Sequence, residues 1–196
     1  MSTPPIRRRT ASHEVSAALL RAAETVLDRD GSDGVTIRAV ALAAEVSPTS
    51  VYNRFQSKDG LIVALAMRTL TQLADAVDVP ADLGPNGRFR QACRNYRDFA
   101  LRHPARYSLI FGSGSPLEDQ SSEVADAGRA IFTVLARLIG ALETAVGERD
   151  LAESAQIVWA AIHGSVTIEQ AGIGQTPDTD ATFEHVLDLL TDGLTA

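Results

Sequence analysis

The sequence of 196 residues contains one cysteine, one lysine and one tryptophan, and only 5% of its residues are aromatic. Because Cys93 has no second cysteine to pair with, an internal disulfide is excluded, and so is a cysteine-rich zinc site. The four histidines are isolated, and no carboxylate or cysteine is arranged with them as a metal-ligand motif. These absences predict a protein of the reducing cytoplasm that binds no metal.

The sequence also has no long uninterrupted apolar run and none of the common catalytic patterns. Three arginines at 7–9 could begin a signal peptide, but Glu14, Arg21 and Glu24 interrupt the apolar core that such a peptide needs. We therefore expect no membrane-spanning segment and no export. No Gly-x-Ser-x-Gly turn is present, and the glycines and serines of 112–116 lack the lysine of a phosphate loop. No catalytic residue and no cofactor is predicted, so we do not expect an enzyme.

The composition is that of a soluble globular protein, with 45% apolar residues and a mean hydropathy near zero. The formal net charge is −7. Residues 1–60 contain eight Lys or Arg and seven Asp or Glu, whereas the remaining residues contain ten and eighteen. The acidic excess therefore lies downstream of a nearly neutral N-terminal segment.

Two short amphipathic helices joined by a tight turn are predicted to begin at Thr36 and Ser47. Each hydroxyl can cap the free backbone amides of the helix that follows, and Pro48 suits a first helical position, where its missing N–H costs nothing. Val51 and Phe55 lie four residues apart and face inward. The remaining side chains of the second helix carry hydroxyl, amide and guanidinium groups, which suit the base edges and phosphates of DNA. The pattern predicts a helix-turn-helix.

This stretch resembles the TetR family of bacterial transcriptional regulators, which carry a small-residue helix, a Val-Ser turn, a recognition helix ending in Tyr-x-x-Phe, and then Ser-Lys and Leu. Glu45 stands where the family commonly has glycine, which predicts a slightly different turn and weaker binding beside phosphates. The matching residues are Ala43, Ala44, Val46, Ser47, Tyr52, Phe55, Ser57, Lys58 and Leu61.

Matching positions imply the DNA contacts. From the first short helix, Thr36 and Arg38 would contact phosphate. Lys58, in the first turn of the following helix, can meet a phosphate with both its charge and nearby amides. The resemblance implies that Ser47, Thr49, Ser50 and Asn53 face base edges or nearby backbone and that Tyr52, Arg54 and Lys58 hold phosphates.

The domain organisation follows from these elements. Residues 1–11 are predicted to form a disordered basic arm, either a solvated tail or a segment whose arginines reach into the minor groove. Residues 12–57 form the helix-turn-helix domain, and its supporting first helix is ended by Gly31 and Gly34. Residues 58–196 form an effector-binding and dimerisation domain, within which 58–79 is a linking helix.

The downstream residues show only helical periodicity. Apolar stripes predict helices over 89–100, over 105–111, from Val124 to Val146 with Gly147 as the stop, over about 150–171, and from Phe183 to the C-terminus. Residues 112–116 are expected to be a flexible break. The predicted fold is all-α with about nine helices, a three-helix N-terminal domain and a helical C-terminal domain.

The C-terminal half resembles one class of TetR regulators marked by a Trp, a His and a Gly on the penultimate long helix, here Trp159, His163 and Gly164. The resemblance implies that the last two long helices pair with their copies in a homodimer. The residue pattern supports dimerisation independently of the resemblance. The penultimate long helix is apolar nearly all round, and the terminal helix has a wide Leu/Val face. Together they present more apolar surface than one small core can cover.

Aromatic side chains from several helices predict a ligand cavity in the C-terminal domain, since pockets are usually lined in this way. The alternative is that these rings are plain core. His163 is either a packed structural histidine or a polar contact for the ligand. The predicted effector-binding residues are Tyr96, Phe99, Tyr107, Phe111, Phe132, Trp159 and His163.

Together these features predict a homodimer resembling a TetR repressor, which binds a palindromic operator of double-stranded DNA and releases it when a small molecule binds. Two alternatives remain: a DNA-binding dimer without an effector, and a helical enzyme or carrier in which the short helices are incidental.

Overall fold

The computed structural model describes residues 7–142 and 150–195, with side chains over 14–142 and 150–194. Nine α-helices and two short 3-10 helices account for the regular structure of these residues. No strand occurs among these residues, and the all-α fold is confirmed. The helices are α1 (Arg7–Gly34), α2 (Ile37–Ala43), α3 (Pro48–Phe55), α4 (Lys58–Val77), α5 (Gly84–Arg102), α6 (Pro104–Phe111), α7 (Glu123–Gly140), α8 (Leu151–Gln170) and α9 (Thr179–Thr195).

Several helix boundaries differ from the sequence predictions. α1 begins at Arg7, so residues 7–11 belong to a helix and not to a disordered arm. Arginine and alanine are good helix formers and no proline follows Pro5 there, so the helix extends towards the N-terminus. Gly31 interrupts this helix near its end with φ 71°, a left-handed conformation that suits glycine. α7 ends at Gly140, with Ala141 as its C-cap, so the helix predicted to run from Val124 to Val146 ends earlier, at a residue with low helix propensity. Val146 and Gly147 themselves lie outside the described residues.

The chain divides into two compact units, and the division differs from the predicted boundary after residue 57. The first unit comprises Met1–Thr69 and Ala105–Glu118, and the second comprises Leu70–Pro104 and Asp119–Ala196. The first unit therefore holds α1 to α3, the first half of α4 and nearly all of α6. The sequence prediction had placed α6 in the C-terminal domain.

Ion pairs within the first unit explain why α6 belongs there. Arg106 of α6 pairs through Nη2 with Asp28 Oδ2 of α1 at 2.6 Å, and its Nη1 lies 3.5 Å from Glu24 Oε1. The buried Glu24 also lies 2.8 Å from Arg68 Nε of α4. Hydrogen bonding to Asp28 raises the pKa of Arg106. One carboxylate thus links three helices that are distant in sequence.

The expected flexible break at 112–116 is a hydrogen-bonded turn. Ser115 Oγ donates to the carbonyl oxygen of Ile110 at 2.7 Å, and Gly114 N–H donates to Glu118 Oε1 at 2.7 Å. Ser115 is buried. Local side-chain bonds therefore hold a segment that its glycine and serine content had marked as loose.

The expectation of no membrane-spanning segment needs a correction at α4. Within the described residues, α4 has the length and apolar composition of a membrane span, although only 39% of its apolar window is buried. Leu61, Leu65 and Leu73 are fully buried in the protein. Packing of these leucines accounts for the composition of the helix, since a core helix passes the same test as a membrane span.

Candidate nucleic-acid interface and effector site

Side-chain caps begin both short helices. Thr36 Oγ1 accepts a hydrogen bond from Ala39 N–H at 3.1 Å, and Ser47 Oγ accepts one from Ser50 N–H at 3.2 Å. The Ser50 hydroxyl lies 2.9 Å from Ser47 Oγ. These hydroxyls therefore fix the starts of α2 and α3. Each has a structural role as a helix cap in addition to any contact with DNA.

α3 has one buried face and one exposed face. Val51 is fully buried and Phe55 is 9% exposed, whereas Tyr52 is 58% exposed and its neighbours Asn53 and Arg54 are also exposed. The polar side chains are therefore accessible in the first unit, as contact with base edges requires. All nine predicted DNA-contact residues are exposed: Thr36, Arg38, Ser47, Thr49, Ser50, Tyr52, Asn53, Arg54 and Lys58.

Glu45 adopts the left-handed conformation itself, with φ 54°. Hydrogen bonds close the turn around it: Val46 N–H donates to the Ala41 carbonyl at 2.9 Å, and Glu45 N–H donates to that of Leu42 at 3.2 Å. A side chain in this conformation costs about 1 kcal/mol relative to the ordinary helical region. The turn is made with a strained residue where glycine would carry no strain.

The junction between α3 and α4 is equally tight. Gln56 has φ 65°, and Ser57 Oγ accepts a hydrogen bond from Gly60 N–H at 3.0 Å. A Cβ built on Gly60 would lie 2.1 Å from the carbonyl oxygen of Phe55. Only glycine allows this approach, which brings the N-terminus of α4, with Lys58, directly after the recognition helix.

In the second unit, three polar aromatic side chains form a hydrogen-bonded chain. Trp159 Nε1 lies 3.3 Å from the Tyr96 hydroxyl oxygen, which lies 3.2 Å from His163 Nδ1. The indole N–H can only donate, so the tyrosine oxygen accepts it and directs its own proton towards Nδ1. Burial lowers the pKa of His163, which favours the neutral imidazole that this arrangement needs. Phe132 packs edge-on against Trp159 at 6.4 Å between ring centroids.

A separate groove lies between α8 and α9 of the second unit. Its volume is about 450 Å³, and it is lined by both helices and by the loop that joins them. Ala160, Gly164 and Ile168 of α8 and Val186 of α9 form its apolar part. None of the predicted effector-binding residues lines this groove.

Two family models match the chain. "Bacterial regulatory proteins, tetR family" matches residues 19–65, and "Tetracyclin repressor-like, C-terminal domain" matches residues 89–190, which is more than half of the chain. The chain belongs to the TetR family. It is therefore a DNA-binding transcriptional regulator and not an enzyme, and the predicted alternative of a helical enzyme or carrier is wrong.

Similar proteins span most of the chain. An uncharacterized HTH-type transcriptional regulator of Mycobacterium tuberculosis is 29% identical over 179 residues, covering 90% of this chain and 80% of the relative. The class A tetracycline repressor protein from transposon 1721 of Escherichia coli is 28% identical over 190 residues, covering 90% and 88%. A solved structure of a protein of unknown function from Rhodococcus sp. RHA1 has a TM-score of 0.81 and 26% identity, covering 92% and 95%.

Four of the seven predicted effector-binding residues are in contact with one another in this TetR-family protein. Tyr96, Phe132, Trp159 and His163 form the cluster described above. Phe99 is buried, and its ring centroid lies 5.2 Å from that of His103. The remaining two residues, Tyr107 and Phe111, lie in the first unit, where their tilted rings are 4.9 Å apart between centroids.

Two residues of the DNA-binding unit in this TetR-family chain have features that its sequence motif did not predict. Gly60 is required by the close approach to Phe55, and its position three residues after the Ser57 cap was the available signal. Leu42 of α2 is 81% exposed, which its apolar character did not suggest.

Proposed function

We propose that this protein is a repressor that inserts α3 into the major groove of a palindromic operator and releases the DNA when a small molecule binds. The observation that supports this most directly is the division of α3 between buried Val51 and Phe55 and exposed Tyr52 and Asn53. A helix-turn-helix reads bases with its second helix while the first crosses the backbone. As a regulator of bacterial genes, the protein would work in the cytoplasm.

The contact roles in this proposal follow the exposed side chains. Thr36 and Arg38 contact phosphate from the start of α2, and Lys58 does so from the start of α4. The exposed residues of α3 and its N-cap make two kinds of contact, with base edges or nearby backbone and with phosphates. Ser47, Thr49, Ser50 and Asn53 face base edges or nearby backbone, and Tyr52 and Arg54 hold phosphates.

The protein would bind as a homodimer through α8 and α9. Each of these helices exposes large apolar side chains: Ile157 is 45% exposed, Ile168 is 48% exposed, and Leu189 is 74% exposed. The groove beside Gly164 is apolar and accessible, so a second copy of the chain can fill it. A twofold dimer places two α3 helices together, as a palindromic operator requires.

The effector would bind at Tyr96, Phe132, Trp159 and His163, where aromatic surface and hydrogen-bonding groups occur together. α4 contributes residues to both units, so a ligand that prefers one position of α4 would change the separation of the two α3 helices in the dimer. Effector and operator would then weaken each other's binding by the same factor. Equal effector affinity with and without operator would contradict this mechanism.

A dimer that binds DNA without any effector is the second candidate. The internal hydrogen bonds of Tyr96 favour it, because they connect the polar atoms of the cluster to one another. Measuring operator affinity against a panel of small molecules separates the two candidates. Release by at least one compound, with the reciprocal effect on its own affinity, supports effector control.

The operator can be found by selecting genomic fragments with the purified protein and sequencing them. In mobility-shift assays on the selected fragment, replacing Tyr52 and Lys58 together with alanine should abolish specific binding without unfolding the protein. Arg102→Gln, which changes an exposed arginine of α5, should bind as the wild type does. Undiminished binding by the Tyr52 and Lys58 variant would refute the proposed contact surface.

A further inference from the structure

Three arginines of α5 face carboxylates of α8 and α9 in the second unit. The arginines are spaced like successive turns of one helix face, and the α9 carboxylates are spaced in the same way. Higher-numbered arginines pair with lower-numbered carboxylates of α9, so the two helices run antiparallel. We call this set the arginine ladder: Arg90, Arg94, Arg97, Glu169, Asp180, Glu184 and Asp188.

Glu184 is the centre of the ladder on α9. Arg94 donates to both of its oxygens, from Nε at 2.6 Å and from Nη2 at 2.7 Å. Arg90 donates to the same carboxylate at 2.9 Å and to Asp188 at 2.7 Å. Two-pronged contacts of this kind fix orientation as well as distance, because the planar guanidinium matches the plane of the carboxylate.

Arg97 forms the least exposed end of the ladder. Its side chain is 12% exposed, and it donates to both oxygens of Glu169, which is 16% exposed. A further bond joins it to Asp180 at 2.6 Å, and its guanidinium lies 5.1 Å from the ring centroid of Phe183. This end ties α5, α8 and α9 together at one point.

The α9 carboxylates of the ladder and the exposed Leu189 lie on different sides of α9, whereas Glu169 of α8 lines the groove. Leu189 follows Asp188 by one residue, which places it about 100° further around the helix. The buried residues Phe183 and Leu187 occupy the side that faces the core of the unit. A rotation of α9 about its own axis would therefore move Leu189 without changing the composition of the dimer face.

We propose that the arginine ladder positions α9 for dimerisation, so that Glu184 controls the affinity of one copy for another although it lies outside the apolar dimer face. The inference rests on the proposed dimer through α8 and α9. Apolar packing of Phe183 and Leu187 alone permits small rotations of α9 about its axis. Hydrogen bonds from two arginines to the Glu184 carboxylate hold α9 at a single rotation. Because the Glu184 side chain is 39% exposed, salt should weaken its ion pairs with Arg90 and Arg94.

Sedimentation equilibrium of the full chain tests the inference. Glu184→Gln keeps the shape of the side chain and removes its charge. We expect its dimer dissociation constant to rise about tenfold. The wild-type dissociation constant should rise with sodium chloride concentration, and Glu184→Gln should lose much of that dependence. An apolar face acting alone would hold its affinity or gain affinity in salt.

Asp98→Asn is the matched control, because Asp98 pairs with Arg102 on α5 in an exposed contact outside the ladder. It should dimerise as the wild type does. Leu189→Asp tests the dimer face itself and should yield monomers. If Leu189→Asp is monomeric while Glu184→Gln keeps the wild-type constant and salt dependence, the ladder inference is overturned and the dimer face stands.

If Leu189→Asp dimerises like the wild type, the proposed face is wrong and the inference falls with it. If Glu184→Gln fails to fold, the salt dependence of the wild-type dimer dissociation constant tests the inference instead. A dissociation constant that does not increase with salt overturns the inference.

Discussion

Gly60 approaches Phe55 so closely that a Cβ on Gly60 would lie 2.1 Å from the Phe55 carbonyl oxygen. The Gly60→Ala substitution must therefore displace either the end of α3 or the start of α4. We expect a loss of about 2 kcal/mol in the free energy of unfolding, measured in urea, and weaker operator binding. Gly140→Ala is the control, because its added Cβ would meet only side-chain atoms of Leu151, at 3.4 Å or more. Equal stability of the two variants would contradict the predicted clash.

Glu45 combines a strained backbone with a negative charge beside the proposed DNA surface, and two substitutions separate these effects. Glu45→Gln removes only the charge and should tighten operator binding, most clearly at low salt. Glu45→Gly removes the charge and also a strain of about 1 kcal/mol, part of which is offset by the greater freedom of glycine in the unfolded chain. Fluorescence anisotropy with the operator and urea unfolding measure the two quantities. Affinities unchanged in both variants would place Glu45 away from the DNA.

Lys58 is expected to bind one phosphate from the first turn of α4. Lys58→Gln should weaken binding to all DNA sequences by a similar factor, because phosphate contacts carry no sequence information. A plot of log affinity against log salt concentration should lose a slope of about one. A variant that changes sequence preference, with its salt slope intact, would assign Lys58 to base recognition instead.

Acid should loosen the second unit through the arginine ladder. Hydrogen bonding to Arg94 lowers the pKa of Glu184 from 4.5 to about 2, and Arg97 lowers that of Glu169 in the same way. A carboxylate with a depressed folded-state pKa stabilises the fold above its unfolded value and loses this contribution as the pH falls towards the folded value. The melting temperature should therefore decrease between about pH 4.5 and 2, and Glu184→Gln should flatten that part of the profile. Identical profiles would show that the pairs are too screened to matter.

The Tyr96 hydroxyl serves both Trp159 and His163, so Tyr96→Phe leaves two partly buried groups without that bond. We expect a loss of about 1 to 2 kcal/mol in the free energy of unfolding. Trp159 is the only tryptophan, so its emission reports directly on this cluster. Tyr52→Phe makes the same chemical change at an exposed tyrosine and should alter neither property. An unshifted emission spectrum in Tyr96→Phe would mean that the bond does not order the indole.

The sequence by itself determined the helix-turn-helix. Thr36 and Ser47 cap their helices, and Val51 and Phe55 turn inward, through interactions that reach only three or four residues along the chain. Such local interactions can be predicted from a single sequence because the interacting residues are close neighbours in it. The exposure of Tyr52 follows from the same spacing.

Only the tertiary structure decided which helices belong together. Arg106 reaches Asp28 across 78 residues of sequence, which brings α6 into the first unit. The pairing of Arg94 with Glu184 spans 90 residues. Periodicity shows that a helix has an apolar or charged face, but the partner of that face is set by packing among distant segments, which no local pattern records.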